Sequence, residues 1–191
     1  MTVPIILAYV LILSYFVIER SLRKGAKALS MEAGEFDRSS SKMLLISGLL
    51  SIILALLAPI LNRNQFGYWN IGYGCWIGIT LMVAGLVLRY WAAVTLGEFY
   101  TRTLQIIEGQ KVIVKAPYNV IRHLGYAGIF LIEIGAGLAF SNWIVLLAVI
   151  ILAMRSRIYR IQAEEEMLET SLKEQYQVYQ KKTWRLIPFV Y

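Results

Sequence analysis

The chain has 191 residues, of which 58% are hydrophobic and 16% charged, and its formal net charge is +7. Soluble domains carry about a quarter charged residues, so this composition excludes an ordinary soluble protein and indicates a single-domain integral membrane protein. The excess of basic residues is therefore interpreted as a topology signal, and nucleic acid is not expected as a partner. The single cysteine, Cys75, excludes an internal disulfide, and the sequence has no Cys/His spacing typical of a metal site.

Three apolar runs joined by polar loops make up the first half of the chain. Residues 3–18 form the first run, which no basic segment precedes, so we expect a retained membrane helix and not a cleaved signal peptide. Residues 43–61 and 71–96 are the second and third runs, and residues 19–42 are a polar loop. The third run contains small residues, which let helices pack closely in lipid: Gly72, Gly74, Gly78 and Gly85.

The second half begins with a polar connection, residues 97–122. Its Glu108-Gly109 turn between two β-branched runs predicts a hairpin-like excursion, and Pro117 prevents a continuous helix there. Two apolar runs follow, residues 123–140 and 143–154, and the polar break between them predicts a helical hairpin. The second arm is expected to continue without interruption as a charged helix, because neither Pro nor Gly occurs before Pro188.

The charged helix has an apolar seam with three- and four-residue steps, formed by Ile158, Ile161, Leu168, Leu172, Tyr176 and Tyr179. Glu165 lies within this seam, where a carboxylate needs a partner. We expect it to be structural and to meet Arg122, Arg185 or free backbone N–H groups. Glu164 lies about 100° round the helix, on the side of Arg160. Glu133 lies within an apolar run, where the simplest interpretation is pairing with Arg89 or protonation.

The distribution of Lys and Arg predicts the topology. Six lie in residues 19–42, four in residues 97–122 and seven from residue 155 onwards, so seventeen of nineteen fall on three segments. Five spans would place these segments on one side, which is the cytoplasm by the positive-inside rule. We therefore predict an all-α membrane protein with five transmembrane helices, the last two a helical hairpin. The N-terminus would lie outside, and the hairpin's second arm would extend into a cytoplasmic C-terminal helix.

Two motifs in the second half resemble those of the isoprenylcysteine carboxyl methyltransferase family, which shares much with phospholipid methyltransferases. The first is Arg122-His123-Leu124-Gly125-Tyr126-Ala127-Gly128. The second comprises Arg160, Glu164-Glu165, Leu168, Tyr176, Tyr179, Thr183, Arg185, Ile187-Pro188 and Tyr191. The resemblance covers residues 97–191. Residues 1–70 would then hold two generic spans, and residues 71–191 the third span and the cofactor-binding core of one methyltransferase domain.

The resemblance implies S-adenosylmethionine as cofactor, S-adenosylhomocysteine as product, no metal, and a lipophilic or prenylated acceptor reached from the membrane lipids. It implies cofactor binding at the cytoplasmic face by Gln110, Lys111, Val112, Ile113, Tyr118, His123, Leu124, Gly125, Tyr126 and Glu164. It makes Arg160 the catalytic, substrate-binding residue. The sequence departs from the family where Leu124 replaces Pro, Gln110 replaces His and Ala116 replaces Gly.

Several alternatives stay open at this point. Arg160 favours a carboxylate acceptor, whereas acids and aromatic residues near the acceptor would favour a phospholipid or amine N-methyltransferase. Two further alternatives are an NADPH-dependent enzyme similar to sterol reductases and a non-enzymatic membrane protein. Arg160 and Glu164 would form only a surface salt bridge if they had no functional role, and His123 would then anchor a helix at the headgroups. The residues Tyr176, Tyr179 and Trp184 are interpreted as packing and interface anchors.

Overall fold

The computed structural model describes residues 2–22, 34–107 and 109–188. Residues 23–33 of the loop predicted at residues 19–42, Glu108 of the predicted turn and Tyr191 of the second motif lie outside these ranges. The described residues form six α-helices, two short 3-10 turns and no strand. The helices are α1 (Thr2–Leu22), α2 (Ser40–Arg63), α3 (Gly74–Leu96), α4 (Leu124–Ala139), α5 (Trp143–Leu172) and α6 (Glu174–Gln180). The all-helical fold that the sequence predicts is therefore present.

Within the described ranges, three segments are long and apolar enough to cross a membrane, namely Val3–Leu22, Ser40–Arg63 and Gly74–Phe99. Helix α4 is apolar but has only 16 residues, fewer than the roughly 20 that a bilayer requires. Helix α5 follows after three residues, and Asn142 caps it by accepting a hydrogen bond from the Val145 N–H at 3.0 Å. The polar break predicted at Ser141-Asn142 thus coincides with the connection between α4 and α5.

Helices α3 and α4 pack through glycines. A Cβ on Gly78 would lie 2.5 Å from the Gly135 carbonyl oxygen, and a Cβ on Gly85 would lie 2.5 Å from that of Gly128. No side chain fits at these distances, so the two backbones touch directly, as small residues permit in membrane helices. The other two predicted packing glycines, Gly72 and Gly74, precede or begin α3 and take no part in this contact.

The prediction of an unbroken charged helix up to Pro188 is wrong. Helix α5 ends at Leu172, and Lys173 has φ +46, which turns the chain into α6. The turn directs α6 back onto the protein, where Tyr176 and Tyr179 are buried and the Tyr179 hydroxyl donates to the Tyr118 carbonyl at 2.7 Å. The free energy gained by burying these two tyrosine side chains outweighs the conformational strain of a lysine with a positive φ.

The hairpin-like excursion predicted within residues 97–122 has the hydrogen bond of a tight turn, from the Gln110 N–H to the Ile107 carbonyl at 3.0 Å, but the described residues on either side form no strand. Residues 120–123, further along the same connection, pair with the C-terminal segment. The Trp184 N–H donates to the Val120 carbonyl and the Arg122 N–H donates back to the Trp184 carbonyl, both at 2.9 Å, and the His123 N–H donates to the Arg185 carbonyl at 3.0 Å. These residues therefore take their backbone partners from a segment far along the chain. This pairing joins the two sequence motifs.

The predicted pairing of Glu133 with Arg89 is wrong as well. Arg89 Nε lies 2.7 Å from Glu19 Oε1, and Arg157 Nη2 lies 2.7 Å from Glu133 Oε2. The reason is the register of the α3–α4 contact, in which Arg89 lies against Gly125 and Gly128, while Glu133 lies further along α4. The Tyr100 hydroxyl also donates to Glu19, at 2.6 Å, so each buried acid is satisfied by the helix or loop beside it.

Candidate active site

One cavity of about 870 Å³ runs between the helices and brings nearly all of the predicted site residues together. Its polar arm is lined by loop residues 100–105 and 110–113, by α5 and α6 from Arg160 onwards, and by Tyr118, Arg122, His123, Gly125 and Tyr126. Its apolar arm is lined by Ile52, Ala55, Ile132, Ala136, Phe140 and Val149. The polar arm contains Arg160 and every residue predicted to bind the cofactor except Leu124. The cavity therefore joins a polar compartment to one at the level of the apolar helices.

Leu124 is the exception. Its side chain is buried in a small apolar cluster with Ala92 and Tyr118 and does not line the cavity. It is the first residue of α4, and the packing of α4 against α3 turns it towards the protein core. In the first motif, His123 thus lines the cavity, whereas Leu124 packs behind the residues of the cavity wall.

Arg160 and Glu164 lie on the same side of α5 and meet through a third residue. The Tyr126 hydroxyl donates to Glu164 Oε2 at 2.7 Å and accepts from Arg160 Nε at 3.1 Å. The His123 ring stacks on the Tyr126 ring with centroids 5.9 Å apart. Arg160 is only 3% exposed, so it does not form the surface salt bridge considered from the sequence.

Arg160 is held in place by residues that the sequence did not single out. Its Nη1 donates to Asp37 at 2.7 Å, to Ser40 at 2.9 Å and to Ser41 at 2.8 Å, and its Nη2 donates to the Arg102 carbonyl at 3.2 Å. Burial alone would raise the pKa of Asp37, but the hydrogen bonds from Ser41 and the charge of Arg160 lower it. An aspartate just before an apolar helix is the available sequence signal.

Glu165 has the partners that its place in the seam predicts. It accepts from Arg122 Nε at 2.6 Å and from Arg185 Nε at 2.9 Å, and it lies 3.1 Å from His123 Nε2. Burial would raise the pKa of the carboxyl, but hydrogen bonds from His123 and Arg122 outweigh it and bring the pKa down to about 2. His123 is buried against Glu165 and is not a headgroup anchor. This cluster fixes the wall behind Tyr126 and Glu164.

Four buried side-chain atoms have no hydrogen-bond partner in the described part of the chain, and all four residues line the cavity. They are Ser51 Oγ, Thr103 Oγ1, Arg157 Nε and Tyr176 Oη. Buried polar atoms almost always have a partner, because an unsatisfied one costs about 1–3 kcal/mol. The cavity lining therefore offers polar atoms that a bound molecule could satisfy, with Thr103 and Tyr176 in the polar arm.

Comparison with known proteins gives a consistent result. The sequence model described as the isoprenylcysteine carboxyl methyltransferase (ICMT) family matches residues 76–170. A protein of Oryza sativa subsp. indica named "Probable protein-S-isoprenylcysteine O-methyltransferase" is 30% identical over 138 residues, which cover 71% of this chain and 69% of that protein. Protein-S-isoprenylcysteine O-methyltransferase B of Arabidopsis thaliana is 26% identical over 168 residues, 87% of this chain and 82% of that protein.

Among solved structures, the fold is similar to that of a eukaryotic intramembrane Ras methyltransferase, ICMT, with a TM-score of 0.64 and 24% sequence identity. The likeness covers 78% of this chain and 53% of that chain. This chain therefore spans about half the length of the solved structure it matches.

Proposed function

The chain belongs to the isoprenylcysteine carboxyl methyltransferase family, and on that premise we propose that it transfers a methyl group from S-adenosylmethionine to a carboxylate of a lipophilic acceptor held in the membrane. The observation that carries the proposal is the single cavity that joins the polar arm to the apolar arm. A soluble cofactor and a hydrocarbon tail need opposite surroundings, and here one cavity offers both. Methyl transfer requires the two to meet in a fixed orientation away from water.

The residues of the polar arm fit the proposed cofactor. Glu164 can accept from ribose hydroxyls or an ammonium group, and Tyr118 and Tyr126 offer aromatic faces for a ring or a cation. The unpartnered Thr103 Oγ1 and Tyr176 Oη supply further polar atoms that a ligand would satisfy. When bound, S-adenosylmethionine supplies an activated methyl group on a sulfonium. The protein supplies orientation, and no metal ligand set is needed for this chemistry.

Arg160 is proposed to position the acceptor carboxylate. A guanidinium has five N–H donors. The Nε–H donates to Tyr126, the two Nη1 N–H groups are shared by Asp37 and the two serines, and one Nη2 N–H donates to the Arg102 carbonyl. One Nη2 N–H therefore remains for a ligand in the described structure. Because Asp37 and the serines hold the group rigidly, this donor is preorganised. Orientation of the carboxylate would therefore cost little at the moment of reaction.

The acceptor is proposed to reach the cavity from the bilayer, between α1 and α2. The cavity wall there includes Phe16 from α1 and Leu45 and Leu49 from α2, which are each about half exposed. Further along, the Tyr9 hydroxyl donates to the Ala55 carbonyl at 2.9 Å and joins the two helices. An apolar tail could slide through the gap into the apolar arm without crossing water.

A titration of the purified protein with S-adenosylhomocysteine and with NADPH tests the choice of cofactor. We expect saturable binding of S-adenosylhomocysteine and none of NADPH, because the chain belongs to a methyltransferase family and Glu164 offers an acceptor for the ribose hydroxyls or the ammonium group. Binding of NADPH alone would support the reductase alternative, and binding of neither would support a non-enzymatic membrane protein.

The topology is proposed to have five membrane segments with the C-terminus and active site in the cytoplasm, since seventeen of nineteen Lys and Arg lie on three segments that five spans place together. Single cysteines at two exposed positions, Asn64 and Lys182, in a Cys75→Ser background test it. A membrane-impermeant maleimide should label Asn64→Cys on intact cells, and should label Lys182→Cys only after permeabilisation. The reverse pattern would contradict the orientation.

A further inference from the structure

A groove of about 660 Å³ lies between residues 112–119 and α6, and only Val112 and Tyr179 line both this groove and the active-site cavity. Its apolar walls include Val114 from the loop and Val178 from α6. These two residues are 61% and 46% exposed. Apolar residues this exposed around one groove indicate a surface that contacts something outside the protein.

The exposed apolar surface continues past the groove. Val120 follows the groove residue Asn119 in the chain, and the Trp184 N–H donates to its carbonyl at 2.9 Å. Both Val120 and Trp184 are exposed. These contacts join the exposed apolar residues into one surface, which we call the α6 face: Val114, Val120, Val178 and Trp184.

The α6 face lies at the end of a helix that can span the membrane. The Tyr118 hydroxyl donates to the Ala92 carbonyl at 3.3 Å, and the Tyr179 hydroxyl of α6 donates to the Tyr118 carbonyl at 2.7 Å. Ala92 is in the last two turns of α3, which is long and apolar enough to cross a membrane. Its 23 residues extend over about 34 Å, against about 30 Å of hydrocarbon in a bilayer. The loop and α6 are therefore held at the membrane boundary.

Basic side chains flank the α6 face. Residues 109–120 and 174–188 contain four lysines and one arginine but a single acid, Glu174. Lys115, Lys181 and Lys182 are exposed, and Lys182 lines the groove. The arginine, Arg185, is already paired with the buried Glu165, so the lysines carry the unbalanced charge. The face thus has an apolar centre and a positively charged rim.

An anionic phospholipid offers both features that this surface requires at the membrane boundary. It has hydrocarbon chains beneath a negatively charged phosphate, and basic residues near a membrane surface attract such lipids. Phosphatidylcholine has the same chains but no net charge, and an acidic peptide in water has the charge without the hydrocarbon.

We propose that the α6 face lies in the headgroup layer of the bilayer and binds anionic phospholipid. The phosphate lies at Lys115, Lys181 and Lys182, and the upper part of the hydrocarbon lies against Val114 and Val178. This contact is separate from methyl transfer and requires neither cofactor nor acceptor.

Quenching of a fluorescent probe by labelled lipids tests the proposal. The probe is bimane on Val178→Cys in a Cys75→Ser background, in phosphatidylcholine vesicles that contain a trace of phospholipid with a nitroxide on the acyl chain near the headgroup. That phospholipid is either phosphatidylglycerol or phosphatidylcholine. We expect both to quench the probe, and phosphatidylglycerol to do so at least about twofold more strongly, because each lysine near the surface attracts anionic lipid. Val114→Cys, on the opposite wall of the groove, should give the same result and replaces Val178→Cys if that position does not label.

Three control variants separate charge from depth. The triple variant Lys115→Gln, Lys181→Gln and Lys182→Gln should lower the ratio of the two quenching efficiencies to about one, with Tm and quenching by phosphatidylcholine retained. Arg63→Gln removes an exposed charge at the C-terminal end of α2 and should keep the wild-type ratio. Bimane on Ser171→Cys, an exposed position about 16 Å further along α5 than Arg160, should not be quenched by either lipid.

Absence of quenching at both Val178→Cys and Val114→Cys would place the α6 face in water or under another partner. Equal quenching by the two lipids would show membrane contact without recognition of charge. Either result would overturn the proposal, as would a triple variant that keeps the wild-type ratio.

Discussion

Glu165→Ala is expected to destabilise the protein by about 3–5 kcal/mol, because it removes the acid from a buried pair and leaves the cations behind. Arg122 and His123 are both buried beside Glu165, with side chains 9% and 3% exposed. For a chain of this size the loss corresponds to a fall in Tm of roughly 6–20 °C. Thermal unfolding in detergent without ligand measures it.

The next residue provides the matched control. Glu166 pairs with Arg38 at 2.7 Å, but both side chains are exposed, 43% and 60%, and such pairs contribute less than about 1 kcal/mol. Glu166→Ala should therefore melt within a few degrees of the wild type. If the two variants have the same Tm, Glu165 does not hold the site together.

The same carboxylate predicts a dependence on pH. Its folded pKa of about 2 lies below the ordinary 4.5, so the folded state favours the ionised form. The stabilisation is complete above about pH 4.5 and is lost as the pH falls from there through 2. The wild-type Tm should fall across this window more steeply than that of Glu165→Gln, which has no proton to take up at this position.

Glu164→Gln is expected to weaken S-adenosylhomocysteine binding about 10- to 100-fold, because a hydrogen bond to a charged group contributes about 1.5–3 kcal/mol. Arg160→Lys should leave that affinity nearly unchanged while kcat falls about 100-fold or more, since only the orientation of the acceptor is lost. Lysine cannot reproduce the fork that reaches Tyr126, Asp37 and the Arg102 carbonyl together.

Calorimetric titration and initial-rate kinetics on the two variants measure these effects, with Glu166→Gln, whose side chain is 43% exposed, as a control on the same helix. Equal losses of cofactor affinity in Glu164→Gln and Arg160→Lys would contradict the division of roles, because Arg160 would then be a cofactor residue. If both variants bind the cofactor and turn over like the wild type, Glu164 and Arg160 are not residues of the active site.

The parts of the site that could be predicted from the sequence are those with a local signal. Glu165 could be assigned a structural role because a carboxylate in an apolar seam needs a partner, and the structure supplies Arg122 and Arg185. Arg160 and Glu164 are four residues apart, so helical geometry alone put them on one side. The two motifs were recognisable as short runs of residue types.

The parts that could not be predicted depend on which elements pack together. Arg89 pairs with Glu19, 70 residues away, and Asp37 holds Arg160 from 123 residues away. No periodic pattern in the sequence identifies partners that lie so far apart along the chain. The break at Lys173 was missed for the same reason, because a lysine is not a helix breaker and only the burial of Tyr176 and Tyr179 against the protein favours the turn.

The proposed carboxyl methylation of a lipophilic acceptor in this cavity is tested most directly by transfer of label from methyl-tritiated S-adenosylmethionine to N-acetyl-S-farnesylcysteine by the purified protein, followed by base hydrolysis of the extracted product. We expect label that base releases as methanol, because only a methyl ester is cleaved in this way, and much less label with Arg160→Lys. Absence of transfer, or label that resists base, would contradict it.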